Sequence, residues 1–161
     1  MRRELCLLAL IPGCSLVLDF SDKAIPKDAM TDAPYTADEC AYKEPNDSFD
    51  TAAVITVADT GPAAICAGDP ADFYKITIGT NTSVTFAIQF TNRPGGDLDL
   101  ELLDSTGTQA AISRGFGDGE TIVCPGSAPQ CGTLAPGDYV MRVFPAVQDA
   151  VNQYTFSVKI Q

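Results

Sequence analysis

The sequence predicts an all-β protein, an antiparallel sandwich of roughly eight to nine strands, and three observations lead there. Short segments alternate apolar and polar residues with period two from residue 72 onward. Clusters of Gly, Pro, Asn and Asp separate those segments. No helical period intervenes between them, and thirteen Gly and eleven Pro favour turns over long helices.

The N-terminus reads as a targeting segment. Arg2 and Arg3 precede the apolar run Leu5 to Leu10, which is far shorter than the roughly 20 residues a membrane span needs. The run closes on Ile11-Pro12-Gly13-Cys14, which resembles a bacterial lipobox. That resemblance implies a lipoprotein signal peptide over 1–13, lipidation of Cys14, and a membrane anchor. Ser15, standing where Asp would act as a retention signal, implies the outer membrane by the same resemblance. Residues 14–43 have no sustained period, contain Pro26 and Pro34, and read as a flexible tether. The folded domain is then expected over 44–161.

Within it, a helical turn is expected at Ser48 to Ala53. "DFYKITI" supplies Phe73 or Tyr74, then Ile76 and Ile78, to one face. "SVTFAIQF" sends Val84, Phe86, Ile88 and Phe90 one way and Ser83, Thr85, Ala87 and Gln89 the other. "DLDLELLD" turns Leu98, Leu100 and Leu102 inward, leaving Asp97, Asp99 and Glu101 for a solvated face. "DYVMRVF" places Tyr139, Met141 and Val143 together, and "QYTFSVKI" does so for Tyr154, Phe156, Val158 and Ile160. Tyr139 and Tyr154 are expected in the core; Phe144 and Phe116 complete a weaker aromatic grouping.

There are six cysteines. Cys6 lies in the signal and Cys14 in the lipobox, which leaves Cys40, Cys66, Cys124 and Cys131. Four thiols in an exported chain allow three pairings. Cys124 and Cys131 bracket the turn-rich "PGSAPQ" and are expected to close a hairpin, leaving Cys40 with Cys66.

A net charge of −11 argues against nucleic acid as a partner, because phosphate neutralisation needs a Lys/Arg surface. The chain has no histidine, which removes Ser-His-Asp and Cys-His nucleophile chemistry and His-based zinc sites. "EPND" concentrates oxygen: Glu44, Asn46 and Asp47 stand within four residues, and Asp69 and Asp72 follow in "GDPAD" just before a strand. Calcium takes six to eight oxygen ligands, which suits carboxylates and amides gathered from turns. A Cys40–Cys66 bridge would hold the two segments side by side. The bland alternative is a capped helical turn and a strand start.

The ordered set "EPNDSFDTA", "GDPADFYKI", "GGDLDLELLDSTG", "LAPGDYVMRVFP" and "QYTFSVKI" resembles the bacterial pre-peptidase C-terminal domain family over Glu44 to Ile160. The resemblance implies a sandwich of jelly-roll type, of the kind attached to exported hydrolases. The collagen-binding domains of clostridial collagenases look similar and bind calcium. In them Glu44, Asn46, Asp47, Asp69 and Asp72 match calcium ligands, and a further acidic ligand two residues before the Glu is Tyr42 here. The expected role is a non-enzymatic, envelope-anchored accessory module, monomeric, with a protein or polysaccharide ligand. A structural envelope protein without ligand and a carboxylate-only hydrolase are the rival readings.

Overall fold

The structure is a computed structural model that describes residues 35–80, 83–127 and 130–161. The signal peptide, Cys14 and the tether up to residue 34 lie outside the described residues. Among the described residues, no helix is long and apolar enough to cross a membrane.

The elements in chain order are α1 (Ala37–Cys40), a 3-10 turn (Phe49–Thr51), β1 (Ala53–Val54), β2 (Ala63–Ile65), β3 (Asp72–Ile78), β4 (Val84–Gln89), β5 (Leu98–Leu103), β6 (Gln109–Ser113), β7 (Gly119–Cys124), β8 (Gly126–Ser127), β9 (Gln130–Cys131), β10 (Gly137–Pro145) and β11 (Asn152–Ile160). One sheet has five strands in the order β1-β3-β10-β5-β6, and the other four in the order β2-β11-β4-β7. β8 and β9 form a separate ribbon, inside the loop closed by Cys124–Cys131. The pairings are antiparallel except β1 with β3. β2 to β7, β10 and β11 are distributed between the sheets as in a jelly roll, and β1 adds a short parallel strand at one edge.

Alternation explains the core. β4 buries Val84, Phe86 and Ile88, and β11 buries Tyr154, Phe156 and Val158. The two strands pair with Phe86 opposite Val158 and Ile88 opposite Phe156. From the other sheet β3 contributes Tyr74, Ile76 and Ile78, and β10 contributes Met141 and Val143. Tyr74 stacks on Phe156 across the sheets at 4.7 Å between ring centroids. Each fully buried side chain of this size contributes roughly 1.5–3 kcal/mol. Ile160, expected inward, is partly exposed because β11 ends there. Tyr139 packs against the core without being fully buried.

Two expectations need correction. The ordered structure reaches back past residue 44, into the span read as tether. Thr36 and Glu39 form a capping box on α1, with Glu39 N–H donating to Thr36 Oγ1 at 3.3 Å and Thr36 N–H to Glu39 Oε2 at 2.5 Å. Tyr42 packs on the core, 6.2 Å from the Phe156 ring, and Lys43 pairs with Asp59 at 2.9 Å. Caps and a disulfide order this segment, and neither produces an apolar period.

The second correction concerns β5. Leu98 to Leu103 is buried along its whole length, including Asp99 at 5% and Glu101 at 8% exposure. Its outward acids are covered by side chains from β10 and from the residue after β6, and are not a solvated face.

Candidate metal centre

Both disulfides are present, Cys40–Cys66 and Cys124–Cys131. The first joins α1 to the end of β2 and so holds the 44–47 turn next to the β2–β3 loop. A backbone bond closes the same gap: Phe73 N–H donates to the Asn46 carbonyl at 2.8 Å.

Three of the five oxygen-bearing residues converge. One carboxylate oxygen each from Glu44, Asp47 and Asp69 lies within 4.8 Å of the others. Local bonds aim them. Asn46 N–H donates to Glu44 Oε2 at 2.8 Å, and Ala71 N–H donates to Asp69 Oδ1 at 3.1 Å. Glu44 and Asp47 are exposed and Asp69 is half-buried, so the group opens to solvent on one side.

Asp72 and Asn46 form the inner layer. Asp72 is 1% exposed and accepts a bond from the Tyr154 hydroxyl; Tyr74 Oη also donates to it, at 3.4 Å. The two tyrosine oxygens are 2.8 Å apart. Asn46 is fully buried, and its side chain bonds to Tyr74. Burial, with the charges of Asp69 and Glu44 adding, pushes the Asp72 carboxyl up to about 8 despite its bond from Tyr154. Burial raises Asp69, with Asp47 adding to it, and burial raises Glu44, with Asp47 and Asp69 adding. Burial also raises both tyrosines.

The donor set fits a hard divalent cation. It is all oxygen, drawn from two turns, with one open side for water. Glu44, Asp47 and Asp69 would make direct contact, and Asp72 stands behind Asp69. Tyr42, at the position of the extra acidic ligand, is committed to core packing.

Sequence reasoning found the acids on the outer face of the five-stranded sheet but missed the arginines that cover them. Asp99 lies 3.6 Å from Arg114 Nε, and Glu101 Oε2 accepts from Arg142 Nη1 at 3.0 Å. Arg142 stacks on Phe144 at 4.4 Å from its centroid, and Arg114 lies 5.5 Å from the same ring. Burial raises Asp99 to about 6; Arg114 opposes this, and Asp97 and Glu120 add to it. The available signal was Arg142 in "DYVMRVF", on an outward position of its strand. Phe116 is 94% exposed, and its carbonyl accepts from Asn92 Nδ2 at 2.9 Å.

The fold is similar to a solved structure of the pre-peptidase C-terminal domain of a collagenase from Bacillus anthracis. The TM-score is 0.53 with 18% identity, over 66% of this chain and 92% of that one. The likeness is one of fold. Two periplasmic inhibitors of g-type lysozyme, PliG of Aeromonas hydrophila and of Salmonella Typhimurium, align at TM-scores of 0.41 and 0.44. Each shares 12% identity and aligns over 67% of this chain and 94% and 96% of its own. No protein-family model and no curated protein matches the chain.

Proposed function

We propose that the chain is a non-catalytic accessory module of the cell envelope, exported and anchored by a lipid on Cys14, whose N-terminal junction is tightened by calcium. The observation that carries this reading is the convergence of Glu44, Asp47 and Asp69 from two segments stapled by Cys40–Cys66. Export is supported by the two disulfides, which persist in oxidising compartments. The non-enzymatic reading is supported by a histidine-free sequence and by the shared fold with a C-terminal domain of a collagenase. The module acts as a monomer that holds a protein or polysaccharide ligand for a partner enzyme, and its net charge of −11 disfavours nucleic acid.

Two measurements test it. Millimolar calcium raises the melting temperature, and magnesium raises it less; an unmoved melt at about 10 mM calcium, ten times the weak end of extracellular modules, rejects the metal. Cys14→Ser moves the protein from the membrane to the soluble fraction, and an unchanged distribution rejects the anchor.

A further inference from the structure

β1 pairs with only Tyr74 and Lys75 of the seven-residue β3. One more rung follows, from Ile55 N–H to the Lys75 carbonyl at 2.9 Å. The chain then leaves the sheet, and Thr56 N–H donates to Asp59 Oδ2 instead. In a strand the N–H and C=O of alternate residues point to the same edge. The N–H of Phe73, which donates to the Asn46 carbonyl, and the carbonyl of Lys75 both face the β1 side, so the backbone groups of Thr77 face it too. Among the described residues no strand pairs with β3 on that side beyond Lys75, and Thr77 is exposed. β11 runs past β2 in the same way: their pairing ends at Tyr154, and a last bond joins Phe156 N–H to the Thr60 carbonyl. Beside these two edges lies an open cavity of about 520 Å³, with walls that include Val54, Val57, Lys75, Thr77, Asp138 and Ile160. Three of the six large apolar side chains exposed among the described residues, Val54, Val57 and Ile160, meet in it.

We propose that this cavity takes an extended peptide of a partner protein, with apolar residues alternating with basic ones, which adds as a strand to β3 at Thr77. An edge with open N–H and C=O groups selects an extended backbone, and a strand sends alternate side chains to opposite sides. The apolar residues of the peptide cover Val57 and Ile160, an exposed patch of the kind that marks interaction sites. Its polar residues pass Lys75, Thr77 and Asp138. Lys75 and Asp138 pair at 2.8 Å and cancel, so the choice of charge falls to the chain as a whole, whose −11 draws a basic partner. A sugar offers no backbone N–H and C=O at strand spacing, which favours the peptide. The inference rests on the reading of the chain as a ligand-holding module, whose ligand class it names, and is independent of calcium.

The test follows the Thr77 amide of the exported protein by hydrogen exchange and by its nitrogen–proton resonance. An acetylated, amidated hexapeptide alternating Lys and Val is titrated at matched ionic strength, with calcium or with chelator. Its controls are a block peptide of the same composition, a backbone N-methylated form and a Glu-Val counterpart. The alternating basic peptide is expected to slow exchange at Thr77 and to bind about tenfold more tightly than the block and N-methylated forms. Thr77→Pro removes the edge donor where proline is tolerated and is expected to weaken binding about tenfold, read on the backbone amides of Val54 to Val57. Thr77→Val keeps the donor and should keep binding. Val57→Thr, on an exposed side chain, should weaken binding and tests the wall even if the proline variant fails to fold. Equal binding of the block or N-methylated peptide overturns strand addition. Tighter binding of the Glu-Val peptide overturns the charge assignment. A Thr77 amide already protected without peptide overturns the peptide assignment, in favour of a second copy if protection rises with protein concentration. Saturable binding unmoved by Thr77→Pro and Val57→Thr overturns the site and leaves the ligand-holding reading standing. A still Thr77 amide while calcium raises the melting temperature overturns the site and leaves the calcium reading standing.

Discussion

At the candidate metal centre, the charges that raise Glu44, Asp69 and Asp72 beyond the effect of burial are other carboxyls. On the outer face of the five-stranded sheet, Asp99 and Glu101 each face an arginine. The two regions have similar composition and opposite electrostatics. One gathers like charges at an open turn, an arrangement that only an outside cation or a proton can relieve. The other pairs two of its acids with arginines of the same chain, so an added cation gains less there. An acidic cluster is therefore informative only when the groups opposite it are known.

The largest effect sharpens the comparison through its scaffold. Replacing Cys40 and Cys66 by Ala is expected to cost about 3.5 kcal/mol in a denaturant melt, from the 26-residue separation, in the chain-entropy treatment. The same change at Cys124 and Cys131, 7 apart, is expected to cost about 2.4 kcal/mol. Loss of the first bridge should also abolish the calcium response, and loss of the second should leave it. Equal calcium responses would separate the staple from the site.

Calcium itself comes next. At a hundredfold excess over Kd it is expected to add about 2.7 kcal/mol to stability. Asp47→Asn with Asp69→Asn should remove that gain, and Asp99→Asn should not. A calcium response lost in Asp99→Asn and kept in the double variant would reverse the assignment of the two clusters.

The sign of neutralisation differs between the regions in calcium-free protein. Arg142→Ala leaves Glu101 buried without its cation and is expected to cost about 2 kcal/mol. Asp47→Asn removes a like charge and is expected to raise stability, by at most about 1 kcal/mol at so exposed a position. Urea melts of the two variants decide; a loss in both would mean that the cluster of Glu44, Asp47 and Asp69 is neutralised from within.

The pH dependence follows from Asp72. Its folded value of about 8 lies above its ordinary 3.8, so between these values the folded state holds a proton that the unfolded state has released. Stability of the calcium-free protein is expected to fall as pH rises from about 4 to about 8, with Asp69 and Glu44 shifted in the same direction. Calcium favours the ionised carboxyls and should flatten this slope. Melts across that range with calcium and with chelator measure both curves, and parallel slopes would place Asp72 outside the ion's influence.

The strands were legible where one face alone is buried, as in Val84 to Phe90 and Tyr154 to Val158, because period two is then a direct record of burial. β1 and β2 are too short to show a period. β5 was half-legible: Leu98, Leu100 and Leu102 announce the inner face, but outward position was equated with solvent. Arg142, about forty residues away in sequence and directly opposite Glu101 in register, covers it. The clustering of Glu44, Asp47 and Asp69 was legible, because turns that gather oxygen do so locally. Their layering was not. Asp72 and Asn46 turn inward because Tyr74 and Tyr154 present hydroxyls there, and Tyr154 lies 82 residues from Asp72.

β10 and β11 are the last strands of the chain and the inner strands of opposite sheets. β10 alone joins β3 to β5, and β11 alone joins β2 to β4. Until residues 137–161 arrive, the chain holds at most separate strand pairs with uncovered apolar faces. A polypeptide delivered N-terminus first thus completes neither sheet before β10 and β11 are available. Removing β11 alone would leave the five-stranded sheet complete but part β2 from β4 and β7, so that its partner layer could no longer cover it.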